Sequence, residues 1–508
     1  MMRENPSAEA SYKWWVTVTT MMGALMVVLD ITIVNVAIPN IMASFGVNVE
    51  TIEWVVTAYM MAMSVMMPTV GWLGDALGNK NLYAASLTLF TAGSALCGMA
   101  WNNDSLVLFR ILQGIGAGVL LPVSMAIMYE AFPVEQRGFA MGLYGVGVTI
   151  GPAIGPALGG YLTERLTWRW VFYVNLPFGV LGVLLATLVL RQLRPREVRP
   201  FDFLGFLTMS GFLVSLLLAL SKGQREGWDS DYILSVLGIS LLFLISFLII
   251  EGKVKNPLIE LGLFRNPVFS AITALAMVFG VGLFGSTFLI PLFTQHLMGY
   301  TPIQTGIVML PGALAVAVFL PLSGRLTDRL DPRFPLTLGI ALFTASLYWM
   351  SLLDLRTSYA AVMGMLVLRG VGMGFIFPPL LNTALGAVPP AKVGLASGLL
   401  NVLRQLGGSF GIALLSTLLV RREAFHRAIY AEGIVPGSYG AREAIQALEA
   451  LAAKSGGSIV EVKARAMALL QSLVVRRAQV SAYDDAFLLT AVLTLLSMVL
   501  IYFVRRFK

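Results

Sequence analysis

Between Ala140 and Leu162 the chain carries no charged side chain. Inside that run, Gly145–Gly160 reads Gly-Val-Gly-Val-Thr-Ile-Gly-Pro-Ala-Ile-Gly-Pro-Ala-Leu-Gly-Gly, with six glycines and two prolines. In water such a stretch would be a loop, because glycine and proline both disfavour helix interiors. It is, however, long enough to cross a bilayer, which takes roughly 20 residues. Inside lipid the backbone must satisfy its own hydrogen bonds, so helix is the only form left, and neighbouring helices absorb proline kinks. A face of glycines also lets another backbone approach closely. Two readings follow: a plain packing seam, or a kinked helix at the contact between two moving bundles.

Apolar runs of this length recur fourteen times, at about 14–38, 51–73, 81–100, 105–128, 138–162, 169–190, 203–221, 232–250, 267–293, 303–324, 334–353, 358–380, 394–419 and 484–504. Only 12% of residues are charged, against about 25% in an ordinary soluble domain. The chain is expected to be an all-α integral membrane protein. An even number of spans puts both termini on one side. The short loops of the other side carry only Arg165, Arg169, Lys222, Arg225 and Arg356 among their lysines and arginines. The positive-inside rule therefore assigns both termini to the cytoplasm. The net charge of +8 sits in short loops and reads as an orientation signal, so no nucleic-acid partner is expected. The amino terminus runs into an overlong first span without a small-residue cleavage site, and reads as an uncleaved first helix.

Enzymatic chemistry finds little support. Cys97 is the single cysteine, and His296 and His426 are the only histidines, so neither a disulfide nor a cysteine-based metal site is expected. No phosphate-binding glycine loop of the Walker type occurs. We expect no catalytic residues, no metal and no cofactor.

An internal repeat divides the chain. Pro133-Val-Glu-Gln-Arg-Gly138-Phe-Ala140-Met-Gly142-Leu143 matches Pro389-Pro-Ala-Lys-Val-Gly394-Leu-Ala396-Ser-Gly398-Leu399 at an offset of 256 residues. At the same offset, Gly114, Gly116, Gly118 and Pro122 match Gly370, Gly372, Gly374 and Pro378. Gly71-Trp-Leu-Gly-Asp75 pairs with Gly324-Arg-Leu-Thr-Asp328. Spans 1–6 and 9–14 are thus two six-helix bundles, with spans 7 and 8 inserted between them. The corresponding divisions are 1–195, 196–260 and 261–508, the last including a long extracytoplasmic loop at about 420–483. Two parallel six-helix repeats suit a transporter with its site at their interface.

The motifs carry a resemblance. Gly151-Pro152-x-x-Gly155-Pro156-x-x-Gly159-Gly160 is similar to the antiporter motif of helix five in drug exporters of the major facilitator superfamily. Leu29-Asp30-Ile-Thr32-Ile-Val-Asn35-Val-Ala-Ile-Pro39 resembles the first-helix motif of that family's fourteen-span drug:proton antiporters. Arg110-Ile-Leu-Gln113-Gly114 resembles its helix-four motif. Trp168-Arg169-Trp170…Asn175-x-Pro177 and Gly398-x-x-Asn401-x-x-Arg404-Gln405 are also similar to sequences of that branch. The resemblance implies efflux of hydrophobic or amphipathic compounds across a bacterial cytoplasmic membrane, driven by counterflow of protons and working by alternating access. It also implies a periplasmic adaptor and an outer-membrane channel as partners. One departure stands out: Ala76 and Asn79 replace the two arginines of the usual loop after span two, while Asp75, Gly78 and Lys80 remain. Gly71, Asp75, Gly78, Glu130, Arg137, Asp328 and Arg329 are expected to act in cytoplasmic gating.

Asp30 lies well inside span one, where an ionised carboxylate costs at least ~2.5 kcal/mol and is functional by default. It is the proton-coupling candidate, with a structural pin through Thr32 or Asn35 as the alternative. Arg110 is about five residues from the end of span four and can either snorkel out or modulate Asp30, the role the resemblance implies. Arg369 and Arg404 fall near mid-span. Because guanidiniums do not titrate, they need an acid, carbonyls, water or an anionic ligand. Two central arginines against one central acid keep fatty acids or lipids in play as substrates. A membrane sensor or scaffold is the third reading. The cavity candidates are Asn35, Met63, Met67, Gln113, Phe284, Phe288, Arg369 and Arg404. Within 420–483, Ala444–Leu451 and Val460–Val475 have helical apolar spacing, which suggests amphipathic helices on the membrane or against a partner.

Overall fold

The computed structural model describes residues 6–192, 200–434, 439–454, 456 and 458–504, and among these it contains helices and connectors but no strand. In order they are α1 (Pro6–Phe45), α2 (Val49–Met66), α3 (Val70–Leu77), α4 (Asn79–Gly98), α5 (Asn103–Ala131), α6 (Arg137–Arg165), α7 (Trp170–Tyr173), α8 (Asn175–Val189), α9 (Phe203–Glu226), α10 (Asp231–Glu251), α11 (Pro267–Leu292), α12 (Pro302–Arg329), α13 (Arg333–Met350), α14 (Tyr359–Gly386), α15 (Val393–Glu432), α16 (Tyr439–Ala453) and α17 (Ile459–Leu496). Helix starts are set by local chemistry. Asn48 and Asn102 accept from the N–H groups of Thr51 and Ser105, and Ser358 does the same for α14. Thr301 with Gln304, and Ser458 with Glu461, form reciprocal boxes on α12 and α17. Each side-chain oxygen replaces the acceptor that the first turn lacks.

All fourteen expected spans are helical. Twelve segments among the described residues are long and apolar enough to cross a membrane. The third and eleventh expected spans, α4 and α13, are packed among their neighbours but are not among those twelve. α4 opens on Asn79-Lys80-Asn81, and α13 has only 18 residues. The protein is a multi-pass membrane protein, and α6 continues as helix through Pro152 and Pro156.

The repeated glycines have the same task in both halves. A Cβ on Gly114 would fall 2.7 Å from the Tyr59 carbonyl oxygen, and one on Gly116 would fall 2.7 Å from the Phe90 amide. α5 is thereby pressed between α2 and α4. At the matching positions, a Cβ on Gly372 would lie 2.6 Å from the Phe343 amide, and one on Gly374 would lie 2.7 Å from Phe319. α14 is pressed between α13 and α12 in the same way. The inserted pair, α9 and α10, pack on each other, and α9 touches both α2 and α15.

The two halves meet on the face that bears the amino terminus. Gly138 meets Gly324, Gly142 meets Leu320, and Gly145 meets Leu320 and Phe377. Symmetrically, Gly71 meets Leu395 and Gly398 meets Met67, and Ser397 donates to the Pro122 carbonyl at 3.0 Å.

The loop expected at 420–483 has a different construction. α15 and α17 have 40 and 38 residues, about 60 Å each at 1.5 Å per residue, where a bilayer core needs roughly 30 Å. Val460–Val475 is therefore not a separate surface helix but the continuation of the last span. Its extension packs along that of α15 through Arg422 and His426 on Asp485 and through Tyr430 on Ser481. Ala444–Leu451 does form a helix of its own, α16, which packs on α17.

Candidate functional site

Asp30 is fully buried in α1, and three donors from two other helices converge on it. Arg110 of α5 places Nη1 2.5 Å from Oδ2. Gln113, one turn on, donates to Oδ1 at 2.9 Å, and Asn175 of α8 donates to the same oxygen at 3.0 Å. A second shell holds the donors. Arg110 Nε donates to the Val55 carbonyl at 3.1 Å, Nη1 also reaches Gln113 Oε1 at 2.8 Å, and the guanidinium lies 3.9 Å from the centre of the Tyr59 ring. Asn175 also donates to Ser94, which donates to the Phe172 carbonyl. Arg110 therefore does not snorkel. It turns inward because a buried carboxylate offers more than the interface does: attraction between opposite charges grows as the local dielectric falls. Such a pair is costly to assemble and costlier to break singly, about 3–5 kcal/mol for removing one partner.

Asn35 does not join this cluster and is exposed. Thr32 bonds within α1 and reaches the Gly151 carbonyl at 3.3 Å. The Gly/Pro run also departs from one of its readings. Its motif glycines do not line the contact between halves; Gly151, Gly155 and Gly159 face Leu29, Thr32 and Ile33 of α1, and Gly160 faces open space. Only the earlier glycines of α6 touch the other half. The motif is an intra-bundle seam that holds the α1 backbone beside Asp30, while Pro152 and Pro156 are exposed.

The remaining candidates scatter. Met63 and Met67 are buried with their backbones against Gly118 and Gly398, so they are packing residues in this conformation, and Met60 is the methionine that faces Gln405 across the halves. Phe284 covers Gly408, and both Phe284 and Phe288 are half-buried. Arg369 is solvated by neutral oxygens: Ser286 at 2.9 Å, Thr287 at 2.7 Å and the Leu283 carbonyl at 3.2 Å. Arg404 bonds Asn401 on its own helix at 2.9 Å and lies 5.3 Å from the Phe377 ring centre. Among the described residues, neither arginine has an ion pair with a carboxylate.

Asp328 carries the contact between halves. Its two oxygens accept from the Gly138 and Phe139 amides at 2.6 and 2.9 Å, at the start of α6. A carboxylate there satisfies amides that the helix leaves open and faces the positive end of its dipole. Burial nonetheless does not extend to Arg329, which is exposed. Arg137 stacks 4.4 Å from the Tyr129 ring centre. Glu130 accepts from Asn79 at 3.2 Å, Asp75 lies on α3, and Gly78 ends that helix at φ 76°.

Sequence reasoning passed over Tyr59, Ser94 and Asn175 as members of the Asp30 cluster. Asn175 carried a signal, as a lone amide leading into an apolar run, but nothing in the chain order shows that it faces α1.

Comparison with known proteins follows this geometry. The model of the Major Facilitator Superfamily matches residues 20–412. The chain is 32% identical over 399 residues to the multidrug transporter protein MdtP of Bacillus subtilis, covering 78% of this chain and 73% of that one. It is 29% identical to the multidrug export protein EmrB of Escherichia coli K12, covering 89% and 88%. It is 32% identical to the fatty acid resistance protein FarB of Neisseria gonorrhoeae, covering 84% of each. Among solved structures, the human organic anion transporter MFSD10 superposes with a TM-score of 0.64 at 14% identity, over 96% of this chain and 99% of that one, which speaks for the fold. Two glycine-zipped bundles with an inserted helix pair, and relatives of this kind over most of the length, make the chain a transporter, not an enzyme, and a member of the major facilitator superfamily.

Proposed function

We propose that the protein exports hydrophobic or amphipathic compounds in exchange for protons, with both termini cytoplasmic and fourteen membrane crossings. The observation that carries this reading is the buried Asp30 held by Arg110, Gln113 and Asn175. When the carboxylate is ionised, both oxygens are bonded and α1, α5 and α8 are tied together. A proton on Asp30 removes the charge that Arg110 answers and turns one acceptor into a donor. The tie weakens, and α1 is free to shift along the glycines of α6. Asp30 is then the proton carrier and Arg110 its modulator.

The halves close on the amino-terminal face, whereas beyond Gly145 α6 turns its glycines to α1 and leaves Ile154 and Tyr161 exposed. The closed amino-terminal face supports reading the protein as an outward-facing member of an alternating-access cycle, with Asp328 on the α6 amides as the latch of the closed side. Relatives named for multidrug export support the substrate class. The extension of α15–α17 beyond the bilayer supports an adaptor and an outer-membrane channel as partners on that side.

A second reading takes anionic amphiphiles such as fatty acids as substrates. Arg404 favours it, as a buried guanidinium with one side-chain partner on its own helix, and a relative named for fatty acid resistance agrees with it.

The test uses protein in liposomes under an imposed pH gradient, with substrate-triggered proton leak followed for cationic, neutral and fatty-acid compounds. Wild type leaks with a substrate and Asp30→Asn does not. A leak that the variant retains places coupling elsewhere. Silence across the panel with folded, inserted protein favours a sensor or scaffold.

A further inference from the structure

The inserted pair α9–α10 stands on two carboxyl groups that the transport cycle above does not use. Asp202 caps the start of α9 and Glu251 ends α10, both on the face that bears the amino terminus. They are 8% and 4% exposed. One oxygen of each is engaged: Asp202 Oδ1 accepts from the Gly205 amide at 2.8 Å, and Glu251 Oε1 accepts from the Ile259 amide at 3.2 Å. The other oxygens, Asp202 Oδ2 and Glu251 Oε2, are shut off from solvent and have no partner. The two side chains converge over Gly205, where an added Cβ would overlap Asp202 Oδ2 and fall 2.9 Å from Glu251 Oε1.

Among the described residues, no cation pairs with either acid. Lys253, Lys255 and Arg265 of the following linker are exposed, and Lys392, just before α15, pairs with Glu260. α3, whose Trp72 packs on Phe201, brings Asp75, another acid. Two ionised carboxylates placed like this would repel each other, and each would keep a buried acceptor unmet. One proton removes both faults, because a protonated carboxyl donates to its neighbour. A hard metal ion takes about six or more oxygens, and this pair leaves only two free.

We infer that Asp202 and Glu251 share one proton, a second proton site separate from Asp30, and that this proton clamps the linker between α10 and α11. Ile259 hangs on Glu251, Glu260 pairs with Lys392, and Asn266 donates to the Ala387 carbonyl at 2.9 Å. The linker thereby ties the inserted pair to the α14–α15 connection, next to which Leu395 and Gly398 rest on the first half. When the proton leaves to the amino-terminal side, the two carboxylates repel, Glu251 swings out and Ile259 is released. A rise of pH on that side therefore loosens the base of the second half, whatever the state of Asp30.

The test uses purified full-length protein carrying Asp30→Asn, so that the outcome does not depend on the coupling site. Infrared spectra at about pH 6.5, roughly two units above ordinary carboxyl values, count protonated carboxyls by their C=O stretch. Glu251→Gln and Asp202→Asn should each lose one such carboxyl, because an amide N–H takes the proton's place and the remaining acid stays ionised. Asp202→Asn serves as the second variant should Glu251→Gln fail to fold. The clamp is read by tryptic cleavage after Lys253 and Lys255. A proton held more tightly in the clamped form than in the open one stabilises the clamp at low pH and is lost as pH rises. Cleavage of the Asp30→Asn protein, relative to its Glu251→Gln derivative at the same pH, should therefore climb with pH, by at most about tenfold per unit for one proton. A carboxyl count that neither substitution changes overturns the inference, as does a cleavage ratio that stays flat with pH. So does magnesium slowing cleavage while both acids are ionised, because the pair would then hold a metal.

Discussion

The two halves of the chain share a helix plan but place their central charges differently. At the 256-residue offset of α5 and α14, Asp30 corresponds to Ser286 and Gln113 to Arg369, while Gly71 and Asp75 between them pair with Gly324 and Asp328 at an offset of 253. The bond between these positions survives in both halves: Gln113 donates to Asp30 at 2.9 Å, and Arg369 donates to Ser286 at 2.9 Å. In the first half the charge sits on the acceptor, the Asp30 carboxylate of α1. In the second it sits on the donor, α14, as a guanidinium that keeps its proton. The same contact thus holds a carboxylate in one half and a guanidinium in the other. A repeat conserves backbone packing far more readily than electrical function, since glycine contacts require shape and the polar pair requires only that donor meet acceptor.

The strongest way to break this contrast is Asp30→Ala. It leaves Arg110 buried without its counter-charge, and a loss of about 3–5 kcal/mol is expected, read as a lowered thermal transition in detergent together with loss of proton leak. Gly155→Ala comes next. The added methyl overlaps Thr32 and should cost about 1–3 kcal/mol by overpacking, with Thr32→Ala recovering part of the transport rate if the seam is what sets α1 beside the carboxylate. Ser286→Ala should cost about 1–2 kcal/mol, the penalty for one unmet donor, and should leave the substrate-triggered proton leak intact. A leak abolished in Ser286→Ala would show that both halves couple and would dissolve the contrast. The smallest effect is expected from Asp328→Asn. Loss of charge at the start of α6 is worth about 0.3–1 kcal/mol and should raise the labelling rate of a cysteine placed at Gly394, where an added Cβ meets nothing closer than 3.6 Å, in a Cys97→Ala background, reagent being added from the amino-terminal side.

Periodic properties of the chain were legible in its order. Long apolar runs located the fourteen expected spans, all of them helical, and the offset of 256 located the paired glycine seams of α5 and α14, because both depend on patterns local to a helix. Two sites differed for one physical reason. Asp30 was marked by its depth alone, but its partners lie 80, 83 and 145 residues away, and the sequence does not state which faces of α1, α5 and α8 meet. The glycines of α6 were likewise recognisable as a close-packing surface, but whether α1 or α12 lay against them depended on how the helix turns between Gly145 and Gly151. The extension at 420–483 was read as separate surface helices because hydropathy falls where α15 leaves the bilayer, although the hydrogen-bonded helix continues.

That continuity makes α15 a lever. Near Ser397 and Gly398 it rests on the first half, at Pro122 and Met67, and from there it runs unbroken to Glu432. The arm beyond that fulcrum is roughly 50 Å long at 1.5 Å per residue, so a rocking of about 10° carries its far end through roughly 9 Å. Anything seated on that end would experience the closing and opening of the amino-terminal face as a stroke of several ångströms, without any substrate passing through it.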